Sequence, residues 1–212
     1  MKKLTTFLLL VTTLSAFSQS DKYKAAMQKN ISQLDSAIVK NTLSDLANNF
    51  ERIGDAEKTQ WLPYYYAAYC TVMNAYMQQD KSKSDPLADK AEALLTKAAS
   101  LNTKENSEIY VIKSMIASAH MMVDPQNRWQ QYGQASTENI NKAKALDATN
   151  PRPVYLEAQS KLYTPEAFGG GKAPAKELFV KALKLFDAFK PQTDLDPTWG
   201  KMSAQYFLTQ TN

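Results

Sequence analysis

Residues 141–159 read NKAKALDATNPRPVYLEAQ. KAKALD has the look of a helix end. Ala148-Thr149-Asn150 is a polar stop, Pro151 and Pro153 follow, and VYLEA starts a fresh apolar helix. Proline suits the first turn of a helix and breaks its interior. The stretch is therefore a seam between two helical hairpins. Lys97–Tyr110 (KAASLNTKENSEIY) repeats the form, and Lys181–Trp199 does so more loosely.

Working outward from this seam, apolar residues recur at helical spacing along the chain. Met27, Ile31, Leu34, Ile38, Val39, Leu43, Leu46 and Phe50 give an amphipathic pattern from Asp21 to about Ile53. Asn41-Thr42 is expected to divide it, and Gly54-Asp55 to cap it. Hairpins follow at about 59–101, 105–147 and 154–189, and a last helix at 199–209. In the first, WLPYYYAAYCTVMNAYM is apolar nearly all round, which predicts a helix covered on several sides. Gly133 falls inside the second hairpin at a cost to helix stability. No stretch alternates as a strand would, so the fold class is all-α, with about 8–9 helices.

Composition sets the outer bounds. The 212 residues suit one domain, and 44% hydrophobic content supports a sizeable core. Lys2 and Lys3, the apolar run Leu4–Ala16 and the small residues Ala16 and Ser18 form a secretory signal pattern over residues 1–18. The mature domain is then 19–212, with no integral membrane segment after cleavage. The apolar run is shorter than the ~20 residues of a span, and no cysteine follows the cut to carry a lipid. Losing two lysines takes the formal charge from +4 to +2. A charge so near balance predicts no nucleic-acid partner. The place of action is the periplasm or the exterior. Cys70 is the one cysteine, so no internal disulfide is available, and its setting AAYCTVM predicts a buried thiol.

Three helices share a pattern of a small residue, an apolar one four on, alanine three further and leucine three beyond. They are Ala91/Leu95/Ala98/Leu101, Ser136/Ile140/Ala143/Leu146 and Ala175/Phe179/Ala182/Leu185. Small residues at these steps let helices approach closely. With KAKALDATNP at 142–151, the pattern resembles the tetratricopeptide repeat, and the resemblance implies an α-solenoid of antiparallel hairpins. The usual proline after Asp147 is replaced by Ala148. Successive alanines, Ala98, Ala143 and Ala182, lie 45 and 39 residues apart, against about 34 in that family. The segment 163–183 and the glutamine after the signal are similar to exported repeat proteins of the Bacteroidetes.

Candidate chemistry is sparse. Gly169-Gly170-Gly171-Lys172 lacks the early glycine and the Ser/Thr of a phosphate loop, having Glu166 and Ala173 there. It reads as a flexible turn. His120, the single histidine, has no ligand or triad partner at useful spacing. Glu105, Glu108, Asp124, Glu138, Asp147, Glu157 and Glu166 are scattered, as on polar faces. The chain is therefore expected not to be an enzyme and to need no cofactor or metal. The resemblance implies a concave wall made by first helices. If Ala68 is the packing residue there, Tyr65, Tyr69 and Tyr76 turn inward as partner-binding residues, with Met73, Met77, Met121 and Met122 beside them. The other reading, that most of this aromatic cluster packs between hairpins, makes the same tyrosines core. The function expected is a scaffold for a protein or peptide partner. The alternative is a binder of a small apolar ligand in a helical pocket.

Overall fold

The structure is a computed structural model, and residues 21–212 are described. The signal pattern at 1–18 lies outside them. Every regular element among the described residues is helical. The N-terminal amphipathic stretch makes three helices: α1 (Asp21–Ile31), α2 (Leu34–Lys40) and α3 (Leu43–Glu57). The division at Asn41 is as expected, since Asn41 adopts the left-handed conformation at φ 55°. A second break at Ser32–Gln33 carries no proline or glycine and left no sequence signal.

Gly54 does not end α3. The helix continues to Glu57, and Lys58 caps it at φ 55°. Gly54 is there because the Tyr64 ring lies against it. A Cβ at Gly54 would come within 2.8 Å of that ring.

Then follow α4 (Leu62–Met77), α5 (Ser84–Leu101), α6 (Ser107–Met121), α7 (Pro125–Arg128), α8 (Gln134–Leu146), α9 (Pro151–Tyr163), α10 (Lys172–Ala188) and α11 (Lys201–Thr209). Between α7 and α8 the residues Trp129–Gly133 form one π-helical turn. The expected second helix of that hairpin is thus interrupted at its glycine, where Met121 Sδ would sit 3.3 Å from an added Cβ. α9 starts at Pro151, with both prolines in its first turn, and the Asn150 side chain caps it by accepting from the Arg152 N–H at 3.1 Å.

Helices pack mainly on their neighbours in sequence, from α3 on α4 through to α10 on α11. α4 also meets α6, and α6 meets α9. These three form one layer, and α5, α8 and α10 pair with them from the other side. The shared sequence pattern is the reason. Ala91, Leu95 and Ala98 in α5, Ser136, Ile140 and Ala143 in α8, and Ala175, Phe179 and Ala182 in α10 are all buried. The leucine at the fourth position is only partly buried in each. α4 is buried around its circumference, with Cys70 inside it. Burial pushes the Cys70 thiol far up, which keeps it neutral.

Candidate functional site

The apolar side chains that the core leaves outside gather where the first part of the chain meets the last. α2 and α11 face one another across a cleft of about 220 Å³. Asp35, Ile38 and Val39 line it from α2, and Met202, Ser203, Tyr206 and Phe207 from α11. α2 buries Leu34 and Ala37, which leaves Val39 turned out at 87% exposure. In α11 Ala204 points inward, while Met202 and Tyr206, one turn apart, are 65% and 61% exposed. Solvated apolar side chains are common singly; several across one concave surface make this cleft a candidate site.

Phe207 links the cleft to an aromatic cluster. Phe207 stacks on Phe179 at 6.0 Å, with Tyr155 at 6.5 Å and Tyr163 at 6.4 Å. Burial pushes the Tyr155 phenol up, and a hydrogen bond with Ser203 of the cleft wall acts against that. A larger hollow of about 290 Å³ lies at the turn between α5 and α6. Its lining is mostly polar and charged, including Asn102, Lys104, Glu105 and Lys113. Glu105 there holds Lys142 at 3.0 Å and the Tyr110 hydroxyl at 2.8 Å. For an apolar ligand the smaller cleft is the better site.

Between α4, α6 and α9 lies a buried polar network that sequence spacing did not reveal. Glu108 in α6 accepts from the Tyr65 hydroxyl at 2.5 Å, from Asn150 Nδ2 at 2.6 Å and from Arg152 Nε at 2.8 Å. Arg152 Nη2 adds a contact at 2.6 Å. Arg152 is 1% exposed and Glu108 is 7% exposed, so Glu108 is not on a polar face as expected. Burial acts most strongly on the Arg152 guanidinium and lowers it, but the Glu108 charge and hydrogen bond, with Tyr65 and Tyr66, together outweigh burial and leave it raised. Arg152 also lies over the Phe189 and Trp199 rings at 4.8 and 5.7 Å. Trp199 donates its indole N–H to the Tyr65 oxygen at 2.9 Å and stacks on Tyr69 at 4.4 Å. Two residues after Trp199, past Gly200 at φ 110°, α11 begins. The network thus fixes where the cleft wall starts.

The three tyrosines proposed from sequence are not on an open wall. Tyr65 and Tyr69 are 0% and 4% exposed. Burial first, then the Glu108 charge, pushes the Tyr65 phenol well up. Tyr76 is partly buried and donates to the Met115 carbonyl at 2.7 Å. Their rings are needed to fill the space between helices, which is why they face inward. Of the methionines beside them, Met77 is exposed, and Met73, Met121 and Met122 are partly covered.

His120 has partners after all. Its Nδ1 lies 2.7 Å from Asp85, its Nε2 lies 3.7 Å from Asp89, and its ring stacks on Tyr132. Arg128 Nη1 reaches both Asp85 oxygens at 2.8 Å, and it does most to hold that carboxyl below the usual range. The arrangement is an ion-paired link between α5, α6 and α7. The glycine loop is equally committed. The N–H groups of Gly169, Gly170 and Gly171 donate to the carbonyls of Glu166, Pro165 and Lys161, so none is offered to a phosphate. Among the described residues no three metal-ligating side chains cluster, and no helix is long and apolar enough to cross a membrane.

No family model matches the chain, and no curated protein matches it. Among solved structures, the HusA haemophore from Porphyromonas gingivalis is similar. It is 36% identical, with a TM-score of 0.79, over 92% of this chain and 94% of that one.

Proposed function

The chain belongs to the family of the HusA haemophore, and from that membership we propose that it is an exported, non-catalytic carrier of haem, held in the cleft between α2 and α11. The observation that carries the reading is the set of exposed apolar side chains on the cleft walls, Val39, Met202 and Tyr206, beside Phe207. A porphyrin is flat, apolar on both faces and acidic at one edge. Aromatic and aliphatic walls suit its faces. Asp35 in the cleft turns the acidic edge outward, where Lys40 follows Val39 at the end of α2.

The cleft is smaller than the ~300–1,000 Å³ of ligand-enclosing pockets, so the macrocycle keeps an edge in solvent. That suits a carrier, which must give up what it holds. A small apolar ligand thereby stands ahead of the peptide segment suggested by the repeat resemblance. The helical hairpins, which we read as a tetratricopeptide-like scaffold, serve to hold the two ends of the chain face to face. The signal pattern at 1–18 fits a carrier that works outside the cytoplasm.

Titration of the mature protein with haem, followed by its absorption band, tests the reading. Val39→Glu and Met202→Glu each place a charge against the bound ring. Each forfeits burial worth about 1.5–3 kcal/mol, so affinity should fall at least about tenfold with the helical circular-dichroism signal unchanged. Haem binding that ignores both substitutions would show that the cleft is not the site.

A further inference from the structure

We propose that the turn between α9 and α10 docks the protein on an anionic lipid surface, with Phe168 as the side chain that enters the lipid. The proposal does not depend on the haem reading of the cleft. Phe168 is 78% exposed, and Tyr163 at the end of α9 is 72% exposed. The turn is built to keep Phe168 outside. Glu166–Phe168 make one tight helical turn, and Gly169 closes it at φ 75°. The N–H groups of Phe168 and Gly170 both donate to the Pro165 carbonyl, and the Lys161 ammonium donates to the Gly169 carbonyl at 3.0 Å. A ring already fixed in place loses little freedom when it meets its target.

The charges around the turn name the target. From Lys161 to Lys181 the chain carries four lysines against Glu166 and Glu177. That net charge of +2 equals the formal charge of the whole mature chain, so the remainder is balanced. Lys161, Lys172 and Lys176 give hydrogen bonds to the Gly169 carbonyl and to two Asn212 oxygens, and none of these bonds goes to an Asp or Glu side chain. The Asn212 contacts set the start of α10 beside the end of the chain, and the Tyr163 ring meets Phe207 of α11 at 6.4 Å. Rings and lysines therefore share one end of the molecule. An aromatic ring on a projecting turn, with ammonium groups beside it, suits a lipid interface. The ring enters the boundary between headgroups and acyl chains, and the cations meet phosphates. Tyr163 suits the same depth, with an apolar ring and a polar tip.

The test is co-sedimentation of the mature chain with vesicles of equimolar phosphatidylcholine and phosphatidylglycerol, and with vesicles of phosphatidylcholine alone. The protein should go down with the anionic vesicles, less with the neutral ones, and less as salt rises. Phe168→Ser should weaken anionic binding at least about fivefold, with the helical circular-dichroism signal unchanged. Lys172→Gln combined with Lys176→Gln should weaken it at least about tenfold, since each lysine near such a surface contributes about fivefold. Trp129→Ser, which removes an exposed ring from the π-helical turn, should bind as the wild type does. No sedimentation of the wild type with anionic vesicles overturns the proposal. So does wild-type sedimentation of Phe168→Ser, or an equal loss in Trp129→Ser. A dimer in light scattering that needs Phe168, without vesicle binding, assigns the turn to a second copy of the chain and overturns the lipid reading.

Discussion

Glu108 and Arg152 show what a single pair costs and contributes inside this fold. Moving either charge from water into the interior costs several kcal/mol, which their attraction and hydrogen bonds must offset. The Glu108 oxygens receive Tyr65, Asn150 and Arg152, so this carboxylate is well compensated. Removing it leaves the Arg152 guanidinium alone in the core. Glu108→Ala should destabilise the protein by about 3–5 kcal/mol in urea denaturation. Glu108→Leu combined with Arg152→Met should cost much less than the two single changes added, because no orphan charge remains. Simple additivity in that cycle would mean the pair does not act as a unit. Nothing in the sequence signalled this pair. Glu108 follows Ser107 at the start of a helix and reads as a solvated first-turn acid, and Arg152 stands between two prolines in a seam. They lie 44 residues apart in the chain and meet only because α6 and α9 share a layer. The buried fate of Cys70 could be foreseen, since its neighbours are small and apolar. That of Tyr65 and Tyr69 could not be decided, because a tyrosine suits both a core and a surface groove.

Helices and their small-residue faces were legible because period and spacing are local properties. The points where elements depart from the pattern were not. Gly54 resembled a cap until the Tyr64 ring was seen against it, and Gly133 gave only a cost, not a π-helical turn. Gly170 is the sharpest case. The turn between α9 and α10 reads as flexible, yet it is closed by three backbone hydrogen bonds. A Cβ at Gly170 would fall 2.1 Å from the Thr164 carbonyl oxygen, which is backbone and cannot step aside. Gly170→Ala must therefore open the turn and shift α10 against α9. We expect a loss of about 2–3 kcal/mol in the urea midpoint analysis, at the upper end of ordinary single substitutions. An alanine tolerated within 0.5 kcal/mol, the usual range for a neutral surface change, would mean that the turn is as loose as its composition suggests.

At the scale of the molecule, the cleft joins α2, near the start of the described chain, to α11, at its end. A stack of hairpins is close to one-dimensional, with each helix held mainly by its neighbours. Its two ends open more readily than its middle. Composition and periodicity describe each end separately, so the meeting of Val39 with Met202 and Tyr206 was invisible before the fold was known. A ligand held between these ends adds a tie between α2 and α11 to the one that Trp199 makes with Tyr65 and Tyr69 of α4. It binds the native state and not the unfolded one, so at 100 times its dissociation constant it adds about 2.7 kcal/mol. For a chain of this size that raises the melting temperature by about 5–10 °C. Hydrogen exchange with haem bound should slow in α2 and α11 together, with little change in α5 or α8. Slowing at the polar hollow between α5 and α6, and none at the chain ends, would move the site there and leave the cleft without a ligand.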